Sequence, residues 1–180
     1  LGQWSKPGGL LVTTSSKGIN NDLTPAERER YSRHLMLPEE GTDGQKRLRA
    51  ASVLCVGCGG LGSPLLIYLA AACVGRIGIV DGDVVELSNL QRQVIHGEGW
   101  LGRSKAQSAA SRIADLNPGC QVDVHEQMLS IENALDLIAP YDLVCDGTDN
   151  FPTRFLVNDA CVLLGKPLIY GSVQRFVGQV

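Results

Sequence analysis

Short apolar runs alternate with longer amphipathic stretches along most of the chain, and glycine or proline clusters mark the joints. The runs at 51–56, 76–80 and 141–145 are apolar almost throughout and bounded by turn residues, which predicts strands buried on both faces. Residues 121–125 alternate like a half-buried strand, 167–170 begin another, and 172–180 read as one more. Between them the pattern predicts helices over 63–74, from 102 to 116 with a stop at Asn117-Pro118-Gly119, over 130–139, and from Asp149 or Asn150 to Leu164, ended by Gly165. Upstream, Thr24-Pro25-Ala26-Glu27 is a capping box that opens a helix through Arg28, Arg30, Arg33 and His34, with Tyr31, Leu35 and Leu37 as its apolar side. Gly41-Thr42-Asp43-Gly44 reads as a turn, and 1–21 as a flexible tail without periodicity. Strands alternating with helices predict an α/β fold, a Rossmann-like doubly wound, mostly parallel sheet with helices on both faces.

The first strand runs without a gap into Gly57-Cys58-Gly59-Gly60-Leu61-Gly62-Ser63-Pro64. Gly57, Gly59 and Gly62 fit G-x-G-x-x-G, whose glycines give a tight turn, close approach to a phosphate and close packing of helix on strand. Gly60 adds further room. Ser63 and Pro64 suit an N-cap and a first helical position. Such glycines can also make a plain turn, so the next strand matters: it ends on Asp81, 19 residues beyond Gly62, where an acidic residue binds ribose hydroxyls in nucleotide-binding βαβ units.

Polar residues gather at other strand ends. Asp83 follows Asp81, and Ser88-Asn89-Leu90-Gln91-Arg92-Gln93 lies just beyond, where ligands of doubly wound sheets bind. Arg92 there can fork onto phosphate oxygens, or the segment can be a surface helix capped by Ser88. Lys105 opens a helix against the dipole unless an anion is shared. Asp149 and Asn150 follow the strand at 141–145, and one carboxylate there can hold Mg²⁺ against phosphates. His96 has no evident nucleophile beside it and reads as structural; His125 reads as pointing to solvent.

In 180 residues, 44% hydrophobic and 19% charged positions are an ordinary globular balance for one domain with a sizeable core. A net charge of -3 gives no basic face for nucleic acid or anionic membranes, and no apolar run approaches a membrane span. The six cysteines fall mostly within apolar segments, as small hydrophobes in a reducing, cytoplasmic setting. Cys55-x-x-Cys58 has no second pair at zinc-site spacing.

Taken together, Arg30-Tyr31-Ser32-Arg33-His34, the glycine loop, Val80 to Glu86, Ser88 to Gln93, Gly102 to Lys105 and Thr148-Asp149-Asn150 stand in the order and spacing of the ThiF/MoeB family, the ubiquitin-activating-type adenylyltransferases. The chain resembles the molybdopterin-synthase adenylyltransferase branch most, including forms with a C-terminal rhodanese domain. The resemblance covers about 23–180 and implies a nucleotide-binding part, 22–180, of a domain that is incomplete at its C-terminus. It implies ATP and Mg²⁺ binding and adenylation of the C-terminal Gly-Gly carboxylate of a small ubiquitin-fold sulfur carrier of the MoaD/ThiS kind, with release of pyrophosphate. In that scheme the Gly57, Gly59, Gly60 and Gly62 loop cradles phosphates and Asp81 takes the ribose. Asp83, Ser88, Asn89, Leu90, Gln91, Arg92, Gln93 and Lys105 complete the ATP site. Asp149 holds Mg²⁺ beside Asn150, and Arg33 crosses a homodimer as an arginine finger. The catalytic set is thus Arg33, Arg92, Lys105 and Asp149.

The sequence departs from the family at His34, usually glutamine, at Cys73, usually glycine, and at Gly147, usually cysteine or alanine. The family's paired zinc cysteines, later transfer cysteine and crossover loop would lie beyond Val180. Two other functions stay open: a non-catalytic scaffold subunit, and an NAD-binding oxidoreductase, against which the cations and amides between Asn89 and Lys105 argue.

Overall fold

The computed structural model describes residues 22–180; the tail reading of 1–21 lies outside them. Helix α1 (Pro25–Arg30) opens with the expected capping box: the Thr24 hydroxyl accepts from the Glu27 N–H at 3.2 Å, and the Glu27 carboxylate accepts from the Thr24 N–H at 2.7 Å. The helix does not run on to His34. It breaks at Tyr31, whose buried hydroxyl accepts from Asn117 Nδ2 at 2.8 Å, and restarts as α2 (Ser32–Leu35). The turn predicted at 41–44 is the first turn of α3 (Gly41–Ala50), where the Gly44 N–H donates to the Glu40 carbonyl at 2.7 Å.

The remainder alternates as β1 (Ser52–Val56), α4 (Gly62–Ala71), β2 (Arg76–Val80), α5 (Lys105–Leu116), β3 (Gln121–His125), α6 (Ala134–Ile138), β4 (Leu143–Asp146), α7 (Phe151–Leu164) and β5 (Leu168–Tyr170). All five strands are parallel, in the order β3-β2-β1-β4-β5. The α/β prediction therefore holds, including helices on both faces. Period-two alternation divides β1 between two cores. Val53 and Cys55 pack with Leu66, Ile77, Ile79 and Ile113 under α4 and α5, while Leu54 and Val56 pack with Ile138, Val144 and Val157 under α6 and α7. A strand buried on both faces has to be apolar at every position, which is why its period was hidden in the sequence.

Residues 172–180 form not one strand but an antiparallel hairpin, β6 (Ser172–Gln174) and β7 (Val177–Gln179), turning at Arg175 with φ 55°. Two further readings change. Helix α6 begins only at Ala134, and His125 does not face solvent: its Nε2 lies 3.3 Å from the Tyr141 hydroxyl, which itself donates to Asp123 at 2.9 Å.

Two family departures have visible consequences. Cys73, just past α4, adopts φ 67°, the left-handed conformation that glycine tolerates best. His34 Nδ1 reaches Gln45 Oε1 at 2.8 Å, and Gln45 Nε2 donates to the Ala72 carbonyl at 2.9 Å, so His34 is the donor and ties α2 to the end of α4.

Candidate nucleotide site

Because β1 connects outward on both sides, to β2 through α4 and eventually to β4, the strand order reverses at β1 and opens a crevice at the carboxyl ends of β1, β2 and β4. A cleft of about 880 Å³ lies there. The glycine loop forms its floor. Gly57 sits at φ 85° and its N–H donates to the Val80 carbonyl at 2.8 Å, turning the chain sharply out of β1. A methyl group on Gly62 would run into the Gly57 carbonyl, so the third glycine does let the helix pack onto the strand end. Helix α4 starts one residue earlier than predicted: Leu61 occupies the cap, and Ser63, fully buried, donates from its hydroxyl to the Cys58 carbonyl at 3.2 Å. Pro64 still falls in the first turn, where its missing N–H costs nothing.

Cys58 is fixed from both sides. Its N–H donates to Asp81 Oδ2 at 2.9 Å, and His96 Nε2 lies 3.1 Å from its carbonyl. A carbonyl only accepts, so Nε2 carries the proton and Nδ1 accepts from the Ser108 hydroxyl at 3.0 Å. His96 is thus the structural residue expected, a strut between α5 and the glycine loop. Burial, opposed by the Cys58 carbonyl, holds its pKa below the ordinary 6.5. The unfolded chain then takes up a proton near 6.5 while the folded chain does not. The stability of the neutral ring is fully present above about pH 6.5 and is lost as pH falls toward the depressed folded value. Melting curves from about pH 7.5 to 5 are expected to show a steeper loss for the native chain than for His96→Gln; equal slopes would contradict this account. Burial also pushes the Cys55 and Cys58 thiols up, so both stay protonated.

Asp81 lines the cleft, and its other oxygen accepts from the Asp83 N–H at 2.9 Å, which leaves lone pairs for ligand hydroxyls. Lys105, 7% exposed, answers the dipole objection: its Nζ pairs with Asp83 Oδ2 at 3.0 Å. Of the segment 88–93 only Arg92 and Gln93 reach the cleft. It forms a 3-10 turn at Leu87–Asn89 opened by Glu86 rather than a Ser88-capped helix, with buried Asn89 accepting from the Glu86 N–H at 3.1 Å. Ser88, Asn89, Leu90 and Gln91 shape this turn and do not line the cleft. Gln93 is 4% exposed, and its Oε1 has no hydrogen-bond partner among the described residues. A buried amide oxygen left open beside a cleft fits a bound ligand.

The opposite wall comes from the end of β4. Thr148 is held to Asp146 Oδ1 through its N–H at 2.8 Å and its hydroxyl at 2.6 Å, Asn150 caps α7 by accepting from the Thr153 N–H at 3.0 Å, and Asp149 stands between them, exposed on the cleft. Among the described residues no three His, Cys, Asp or Glu cluster as a metal site. A single carboxylate facing a phosphate-sized space suits Mg²⁺, which keeps waters and borrows phosphate oxygens. Arg154 also lines this wall, and sequence reasoning missed it; an arginine in the first turn of a helix was the available signal. Arg33 does not line the cleft. Arg28 and Arg30 bind the Leu23 and Leu116 carbonyls at 3.2 and 3.1 Å, whereas Arg33 is exposed and makes no hydrogen bond or ion pair among the described residues.

Parallel sheet, glycine loop and strand-end acid together define a Rossmann-like α/β domain. The ThiF family model matches residues 31–180, and the chain belongs to that family. It is 62% identical over 157 residues to a probable adenylyltransferase/sulfurtransferase, MoeZ, of Mycobacterium tuberculosis, covering 87% of this chain and 40% of that protein. It is 54% identical to the sulfur carrier protein adenylyltransferase of Thermus thermophilus, covering 87% of this chain and 58% of that protein. The chain therefore spans roughly two fifths to three fifths of these relatives. Among solved structures, the E. coli tRNA N6-threonylcarbamoyladenosine dehydratase in complex with ATP superposes with a TM-score of 0.78 at 28% identity, over 83% of this chain and 61% of that one. Among the described residues no helix is long and apolar enough to cross a membrane.

Proposed function

We propose that residues 22–180 are the nucleotide-binding part of a cytoplasmic adenylyltransferase that activates the C-terminal Gly-Gly carboxylate of a ubiquitin-fold sulfur carrier. The observation that carries this reading is the convergence on one cleft of a glycine loop, a ribose-type acid, the cations Arg92, Lys105 and Arg154, and Asp149 on the opposite wall. The names of its relatives as adenylyltransferases support it, as does the ATP-bound neighbour.

In this reading Asp81 accepts from ribose hydroxyls, the N–H groups of Gly59 and Gly60, beyond those of Gly57 and Cys58 that bond within the protein, and the N-terminus of α4 face the phosphates, and Arg92 and Lys105 neutralise them. Mg²⁺ supplies charge neutralisation on the leaving pyrophosphate; Asp149 would hold it, with Asn150 fixing the neighbouring backbone. A carrier carboxylate oxygen attacks the α-phosphorus, an oxygen–phosphorus bond forms, and the bond to the β-phosphate bridging oxygen breaks. The carboxylate is already the nucleophile, so the site needs positioned cations rather than a base or a triad. Arg33, outside its own chain's cleft, acts in the partner subunit's site of a homodimer.

The test is the intact mass of a Gly-Gly-ending carrier after incubation with ATP, Mg²⁺ and the full-length protein. A gain of one adenylyl group, sensitive to hydroxylamine, is expected. An unmodified carrier across a panel of such proteins, with ATP still bound, would favour the scaffold reading; binding of NAD instead of ATP would favour the oxidoreductase.

A further inference from the structure

The guanidinium of Arg154 joins two loops that reach the cleft from different parts of the chain. From the first turn of α7 its Nε donates to the Thr148 carbonyl at 3.2 Å; its Nη2 donates to the same carbonyl and also to the Gly171 carbonyl at 3.0 Å. Thr148 immediately precedes Asp149, and Gly171 links β5 to the β6–β7 hairpin. A cation in a first helical turn opposes the dipole, so its placement there follows from these carbonyls rather than from the helix.

The Thr148 peptide is thereby gripped at both ends. Its N–H and hydroxyl are held by Asp146, 4% exposed, and its carbonyl by Arg154. On the other side of Asp149, the Asn150 side chain is tied to Thr153. The backbone carrying Asp149 is thus fixed on both flanks, while the Asp149 carboxylate itself makes no hydrogen bond or ion pair among the described residues. Nε and Nη2 of one rigid guanidinium plane make all three bonds, Nη2 reaching both loops; a lysine ammonium has donors enough for two carbonyls but sits on a flexible stem and holds them in a less fixed geometry.

We propose that Arg154 is a positioning residue, which aims the Asp149 carboxylate at the Mg²⁺ position by clamping Thr148 to Gly171. This rests on the reading of Asp149 as the metal-holding carboxylate. The alternative is a plain brace between α7 and the hairpin, which would alter folding without regard to the metal.

The two are separated by titrating ATP calorimetrically into the full-length protein, once with Mg²⁺ and once with EDTA, and taking the ratio of the two affinities. Loss of a partner that orients a metal ligand lowers metal affinity about tenfold or more, so Arg154→Met and Asp149→Asn are both expected to cut the ratio by about tenfold, with Arg154→Lys between them and the native chain. Combining Asp149→Asn with Arg154→Met is expected to add little further loss, since both act on one ligand. An unchanged ratio in Arg154→Met and Arg154→Lys, with Asp149→Asn reduced, would overturn the proposal and leave the metal reading standing. An unchanged ratio in Asp149→Asn would overturn both. Should Arg154→Met fail to fold, Arg154→Lys decides: a native ratio in a folded lysine variant overturns the proposal.

Discussion

Gly62→Ala is expected to lower the melting temperature by roughly 6–12 °C and to abolish ATP binding, the largest effect of any single methyl group at the cleft. The added carbon would collide with the Gly57 carbonyl, which is backbone and cannot rotate away as a side chain would. Overpacking of this kind costs about 3 kcal/mol, which in a domain of this size corresponds to that shift. Relief requires moving the loop that forms the cleft floor. Gly59→Ala is the contrasting control: its methyl would stand 3.6 Å from Gln93 Nε2, an ordinary contact, so the fold should melt as the native chain does while the methyl intrudes where phosphates approach. A native melting temperature and intact ATP affinity in Gly62→Ala would show that the loop is not built around that contact.

Lys105→Ala is expected to act in the opposite way, with a large loss of activity and a small loss of stability. Lys105 is buried at the cleft and paired with Asp83, whose side chain is 53% exposed. Without the lysine, water solvates Asp83, and stability should fall by less than about 1 kcal/mol. On the proposed function, triphosphate oxygens compete with Asp83 for the ammonium, which places a cation where charge develops on the leaving group. Removing such a donor costs about 10²–10³ in rate. Adenylation measured beside a thermal melt checks both halves: full activity would remove Lys105 from the site, and a collapsed melt would make it structural.

The site was legible where chemistry and chain order coincide. The glycine turn, the acid at the end of β2, a cap at Asp149 or Asn150, which the fold assigns to Asn150, and Gly165 could be read because each follows from a local rule: a tight turn, a strand end, a side-chain oxygen facing a free N–H, a left-handed residue after a helix. What stayed hidden depends on partners distant in sequence. Gly41 and Gly44 have turn-forming chemistry, yet they open α3, whose Leu48 packs against the core under α4 and α5. Tyr31, where a well-capped helix breaks, has its hydroxyl held by Asn117, 86 positions away. Arg154 binds a carbonyl 17 positions on, and no spacing rule announces such a contact. Ser88 to Gln91 drew notice as a polar cluster just beyond a strand end; in the fold they do not line the cleft but build the turn that presents Arg92 and Gln93 to it.

The most direct test is ATP–pyrophosphate exchange by the full-length protein against a panel of Gly-Gly-ending ubiquitin-fold carriers, with Arg92→Ala alongside. Exchange that requires a carrier and disappears in Arg92→Ala is the predicted result, and it would identify the carrier in the same experiment. A folded, ATP-binding protein that exchanges with no carrier, or exchange that Arg92→Ala leaves intact, would contradict the assignment of this cleft to carboxylate adenylation.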